Sequence, residues 1–262
     1  MKETMNKQSL LKLHAVARVT FLEILKDKIL YSAGIVSLFL FVFTFFISKL
    51  SVVSVDRVIL DFGMSVINLS MSFIALFFGA TLISREFERK TVYLILSRPM
   101  SWSSFLFGKF LGLIYILFLE GVLFSLFLIL MLSFFKIPIS SMLGFALMGI
   151  FFQSFILAGM ALFFNTFTTT SLSVVFGLFF YFFGNNVSQI RLFIAKLESD
   201  SLGSILSGFV YIIPNFESLS WKTNILYQIG PEWSRVMITL LYSLSLIFTL
   251  ILAASFISKR KN

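Results

Sequence analysis

Long apolar runs dominate this chain, and runs of that kind leave few folds open. A helix rises about 1.5 Å per residue, so about 20 mostly apolar residues cover about 30 Å of hydrocarbon. Six segments approach or exceed that length: Ile29–Ser48, Gly63–Ile83, Phe110–Phe134, Met142–Phe164, Ser171–Val187 and Val236–Ile257. Inside a bilayer no water satisfies the backbone, so such segments close their own hydrogen bonds as helices. Composition agrees: 58% of the 262 residues are hydrophobic, 13% are charged and the mean hydropathy is +0.99. A soluble domain is about half apolar and about a quarter charged. The chain therefore reads as an all-α polytopic membrane protein with six transmembrane helices, one domain over residues 1–262. A seventh apolar stretch, Ser201–Ile213, stops at Pro214 and is too short to span. It reads as a re-entrant or interfacial hairpin, which survives at membrane depth only when protein buries it.

Lysine and arginine orient the spans. Fourteen of the 21 fall on one side: Lys2, Lys7, Lys12, Arg18, Lys26 and Lys28 near the start, Arg85, Arg89, Lys90, Arg98 and Lys109 between the second and third spans, and Lys259, Arg260 and Lys261 in the tail. The rest are spread over longer loops. Both termini and the Ile83–Lys109 island are thus expected in the cytoplasm. The net charge of +9 acts as a topology signal, with no nucleic acid needed to explain it. Nothing before Lys28 resembles a cleaved signal. Zero cysteines exclude disulfides, thiolate metal sites and a cysteine nucleophile, and the single His14 has no histidine partner for a metal.

Before the first span, residues 10–28 form a weakly amphipathic segment. Leu10, Leu13, Ala17, Phe21 and Ile24 share a face, with Lys12, Glu23 and Lys26 opposite. Such a helix suits the plane of the cytoplasmic interface, its basic residues near anionic headgroups of membrane lipids.

The island, ISREFERKTVYLILSRPMSWSSFLFGK, mixes acids and bases through Arg85, Glu86, Glu88, Arg89 and Lys90. Glu86 to Leu96 holds no glycine or proline and can run on as a short helix, which Pro99 ends. Ser101 is placed to cap the next helix, and Trp102 to pin it at the headgroup level. Glu86, Glu88, Thr91, Leu94 to Ser97, Pro99, Ser101 and Gly108-Lys109 resemble the cytoplasmic loop between spans two and three of the ABC-2 permeases, the type-2 ABC exporters. Lys90 departs from the glycine common before the threonine. The resemblance extends to the six spans, the elbow over 10–28 and an outer hairpin over 185–235 before span six.

That resemblance implies a permease subunit in the inner (cytoplasmic) membrane and a coupling helix within 84–104. Arg85, Glu86, Glu88, Arg89, Lys90, Thr91, Leu94 and Pro99 would engage a separate cytoplasmic ABC ATPase, the mixed charges setting its docking register. It also implies a second permease subunit, expected to be another copy, because six spans make half a pathway. ATP and Mg would be bound by the ATPase. Gly108-Lys109 is no phosphate-binding loop in this chain, since position 103 is serine and Phe110 stands where serine or threonine belongs.

Glu120 is the one acid well inside an expected span, where a lone carboxylate costs a few kcal/mol unless paired, protonated or facing water. It either lines a pathway or dimer seam, or bonds to a neighbouring helix. Gln153 and Asn165 are candidates for the same interior, although Asn165 opens the NTFTTTS turn and fits a short connection. Gly108 and Gly112 make a small-xxx-small pair.

Exporter permease is the leading expectation. A permease-like transmitter that drives an outer partner without transport is the alternative. A membrane-embedded enzyme lacks a convergent pair of catalytic groups, and a secondary transporter lacks the several intramembrane polar residues it needs.

Overall fold

The computed structural model describes residues 2–50, 55–88, 101–196, 200–222 and 232–259, and every regular element among them is helical. In chain order these are α1 (Lys2–Leu25), α2 (Lys28–Leu50), α3 (Val55–Thr81), α4 (Ser84–Glu88), α5 (Trp102–Phe134), α6 (Met142–Asn165), α7 (Thr170–Gly184), α8 (Val187–Ala195) and α9 (Asp200–Ile212). A 3-10 turn at Glu217–Leu219 and α10 (Trp233–Lys259) complete the set.

Among the described residues four helices are long and apolar enough to cross a membrane: α3 with α4 (Val55–Glu86), α5, α6 and α10. The pair α7 and α8, bent by 65°, makes a fifth if counted as one span. The remaining segment expected to span, Ile29–Ser48, lies in the 23-residue α2. The apolar stretch described within it, Ser37–Ile47, is below spanning length. The six expected spans thus stand at four or five among the described residues.

Helices α3 and α6 form the centre. The apolar windows of these two are 72% and 67% buried, against 39% for α5 and 28% for α10, which lie at the periphery. Helix α3 touches α2, α5, α6 and α7, while α10 rests on α6 and α5. Met71, Ile74 and Phe78 of α3 and Leu157 and Ala161 of α6 are almost fully buried. Residues such as Phe118 and Leu130 on α5, and Leu241 and Phe248 on α10, are left exposed. In hydrocarbon that exposure is no penalty, because lipid tails are as apolar as the side chains.

Helix α1 docks across the start of α5 through the expected glycine pair. A Cβ on Gly108 would lie 2.8 Å from the Val16 Cβ, and one on Gly112 would lie 2.6 Å from the Ala17 carbonyl oxygen. Only glycine admits so close an approach at both places. The face that carries Ala17, Thr20 and Ile24 is buried, so the apolar stripe of the elbow segment packs onto protein.

Ser101 caps α5 as its spacing predicts: its backbone is extended (φ −73°, ψ 145°) and its Oγ accepts from the Ser104 N–H at 3.2 Å. Trp102 departs from expectation. It is buried, and its indole N–H donates to Ser258 Oγ on α10 at 2.5 Å. Instead of reaching the headgroups it joins the first turn of α5 to the last turn of α10.

The expected span Ser171–Val187 breaks early. Asn185 and Asn186 turn their amides back onto the carbonyls of Tyr181 and Phe182, each at 2.8 Å, and α8 departs at the 65° bend. Beyond it, α8 and α9 pack through Val187, Ile190, Ile194, Val210 and Ile213. The chain then returns inward, burying Phe216, Leu219 and Trp221 in the bundle. Lys222 fastens this return to α3, with Nζ 2.6 Å from Asp61 Oδ1 and 2.8 Å from Ser65 Oγ.

Candidate functional site

The α1–α2 turn, α4, the first turns of α5, the α6–α7 connection and the end of α10 gather at one end of the bundle. Their polar side chains hold α4 from several directions. Ser84 at its first turn exchanges hydrogen bonds with Asn165 at the end of α6; Asn165 Nδ2 donates to Ser84 Oγ at 2.8 Å. Arg85 pairs with Asp27 in the α1–α2 turn, its guanidinium 5.8 Å from the centre of the Phe78 ring. Glu86 pairs with Lys109 of α5. Lys109 also reaches Glu23 of α1, with Nζ 3.0 Å from Oε2. One ammonium therefore ties α1, α4 and α5 together.

Burial ranks these contacts. The side chains of Lys109 and Glu86 are 7% and 10% exposed, whereas Glu23 is 44% exposed. Breaking the Lys109–Glu86 pair would leave a buried charge without its nearest counter-ion, a large penalty. The Glu23 contact is screened by solvent and is worth far less.

This geometry changes the reading of the island's charges. Glu86 is buried against Lys109, and Arg85, 32% exposed, is engaged by Asp27. Helix α4 begins at Ser84 and closes with Glu88. Arg89, Lys90, Thr91, Leu94 and Pro99 lie outside the described residues. Lys109 earned notice in the sequence as part of a Gly-Lys pair and as a cytoplasmic cation; its partners, at positions 23 and 86, carry no local signal of the pairing. Glu23 sits on the expected polar face of α1, and Asp27 drew no notice in the sequence.

The interior candidates separate. Both carboxylate oxygens of Glu120 are buried without a hydrogen-bond partner among the described residues, so the neighbouring-helix bond is not seen among them. Gln153 is buried, with its amide 3.5 Å from Asn185 Oδ1 at the far end of α7. Asn165 belongs to the opposite end, with Ser84, as the turn reading expects.

A bundle of apolar helices, with a short charged helix seated between its second and third long apolar segments, is the arrangement the island motif implies. Residues 15–259 match the family described as ABC-2 family transporter protein. The chain belongs to the ABC-2 transporter family. It is a multi-pass membrane protein and the permease component of an ABC transporter. The matched region covers α2 through α10 and the part of α1 that docks on α5. No curated protein matches the chain.

Proposed function

We propose that this ABC-2 permease is the membrane subunit of an ATP-driven exporter. Two copies pair in the inner membrane with both termini cytoplasmic, and each is gripped by a separate ATPase through residues 84–104. ATP and Mg are bound in that ATPase, and this chain performs no bond chemistry. Its part is mechanical: nucleotide-driven closure of the ATPases pushes on the loop, and the packed helices shift as rigid bodies to open an outward route.

The observation that carries this reading is the seating of α4. A handle transmits force only if it is fixed to what it moves. Helix α4 is joined to α6 by Ser84–Asn165, to the α1–α2 turn by Arg85–Asp27 and to α5 by Glu86–Lys109. With Glu86 buried and Arg85 paired to Asp27, the gripping surface falls to Glu88, Arg89, Lys90, Thr91, Leu94 and Pro99. Glu120, buried and without a hydrogen-bond partner among the described residues, suits a dimer seam or the pathway wall, as does Gln153 nearer the outer end.

The test is affinity purification of the tagged chain from native membranes, followed by identification of a P-loop ATPase in the eluate. Charge reversal at Arg89 and Lys90 should release that ATPase while leaving the thermal stability of the permease unchanged. Retained ATPase together with undiminished ATP-dependent activity would defeat the assignment of the gripping surface.

A further inference from the structure

Beneath α4 the bundle leaves a cleft of about 380 Å³ that none of the contacts above fills. Buried Ile24, Phe78 and Leu82 give it an apolar part, and Lys26 and Lys28 are exposed at its charged rim. Within the walls the carboxylates are largely occupied: Asp27 by Arg85, and Glu86 and Glu23 by the shared Lys109. Lys26 and Lys28 also line the cleft, are exposed, and have no ion-pair partner among the described residues. Four cations thus meet three carboxylates, and the two uncommitted charges are both positive.

Thr20 supplies the second observation. It lines the same cleft and is 1% exposed, yet its hydroxyl has no hydrogen-bond partner among the described residues. Its methyl lies on the side of Gly112. A buried hydroxyl without a partner is costly, and a group that accepts its proton would remove that cost. The N-terminus of α2 begins at Lys28 and opens on the same place, adding a partial positive charge. An apolar part with a cationic rim, at the end of the spans, matches the boundary between acyl chains and headgroups.

We propose that this cleft binds a phosphate group, with Lys26, Lys28 and the Thr20 hydroxyl as its donors. The phosphate is carried by a membrane phospholipid headgroup or by a free anion. The half-exposed Glu23 at the rim would favour a headgroup that also bears an ammonium.

The full-length permease in detergent is titrated with short-chain phosphatidylglycerol and phosphatidylethanolamine, read by native mass spectrometry. Inorganic phosphate is titrated separately, read by calorimetry. Saturable one-to-one binding is expected. Lys26→Gln with Lys28→Gln should weaken it about 25-fold, about fivefold per lysine. Thr20→Val, close in shape to threonine and so expected to fold, should weaken it about tenfold. Arg18→Gln, an exposed cation on the same helix outside the cleft, should change it less than about twofold on the same scale. Binding in the lipid arm alone assigns a headgroup, and binding of inorganic phosphate with the same lysine and threonine dependence assigns a free anion. Unsaturable uptake in both arms, or equal affinity in the wild type, the double lysine variant and Thr20→Val, overturns the site.

Discussion

Lys109→Met tests whether one ammonium holds three helices. Methionine matches the length and apolar stem of lysine, so the substitution removes the charge with little change of packing. Two carboxylates lose this ammonium, and their exposures set unequal penalties. Glu23 is 44% exposed and returns to water, costing less than about 1 kcal/mol. Glu86 is 10% exposed and loses a buried ion pair, which costs about 3 kcal/mol, the low end for a broken buried pair. Adding Glu86→Gln to Lys109→Met removes the buried charge that has lost this counter-ion and should restore about 2 kcal/mol of the loss. Glu23→Gln alone should fall within about 1 kcal/mol of wild type. Stability is measured by unfolding in mixed micelles at rising dodecyl sulfate fraction, followed by tryptophan fluorescence; Trp102 lies two turns before Lys109 on α5. If Lys109→Met is as stable as wild type, or the double variant is no better than the single, the cluster is not held as described.

Gly112→Ala places a Cβ 2.6 Å from the Ala17 carbonyl oxygen, so α1 must move; a loss of about 1–3 kcal/mol and faster proteolysis within α1 are expected. Trp102→Phe and Ser258→Ala each remove the same hydrogen bond, so each should cost about 1 kcal/mol. Their combination should cost little more than one alone in a double-variant cycle. Glu120→Gln should leave the unfolding of a single copy unchanged or improved, because the carboxylate has no hydrogen-bond partner among the described residues. Transport or dimer yield should fall; a stability loss above about 2 kcal/mol would reveal a partner within the chain.

The helical architecture was legible because the apolar runs carry their own instruction: backbone groups in hydrocarbon can be satisfied only locally. The Ser101 cap and the Gly108/Gly112 approach were legible for a similar reason, since each depends on residues within a turn or two. What failed to show was long-range. Lys109 and Glu23 are 86 positions apart, and Trp102 and Ser258 are 156 apart. Nothing local distinguishes a tryptophan bound for lipid headgroups from one bound for another helix. The break after Gly184 was obscured differently: Val187 continues the apolar count, while the turn is made by the Asn185 and Asn186 amides folding back on their own helix. Orientation of the island's charges was the largest revision. Alternating signs read as a surface for a partner, yet Glu86 is buried against Lys109 and Arg85, 32% exposed, pairs with Asp27, because the helix that bears them is seated between α1, α5 and α6.

The indole of Trp102 has a wider consequence. By clasping Ser258 it makes the carboxyl end of the last span a passenger of the loop that precedes α5. Displacement of that loop should therefore be readable from the tail. A reporter dye placed just beyond Ser258 would register a displacement at the start of α5 without touching that segment.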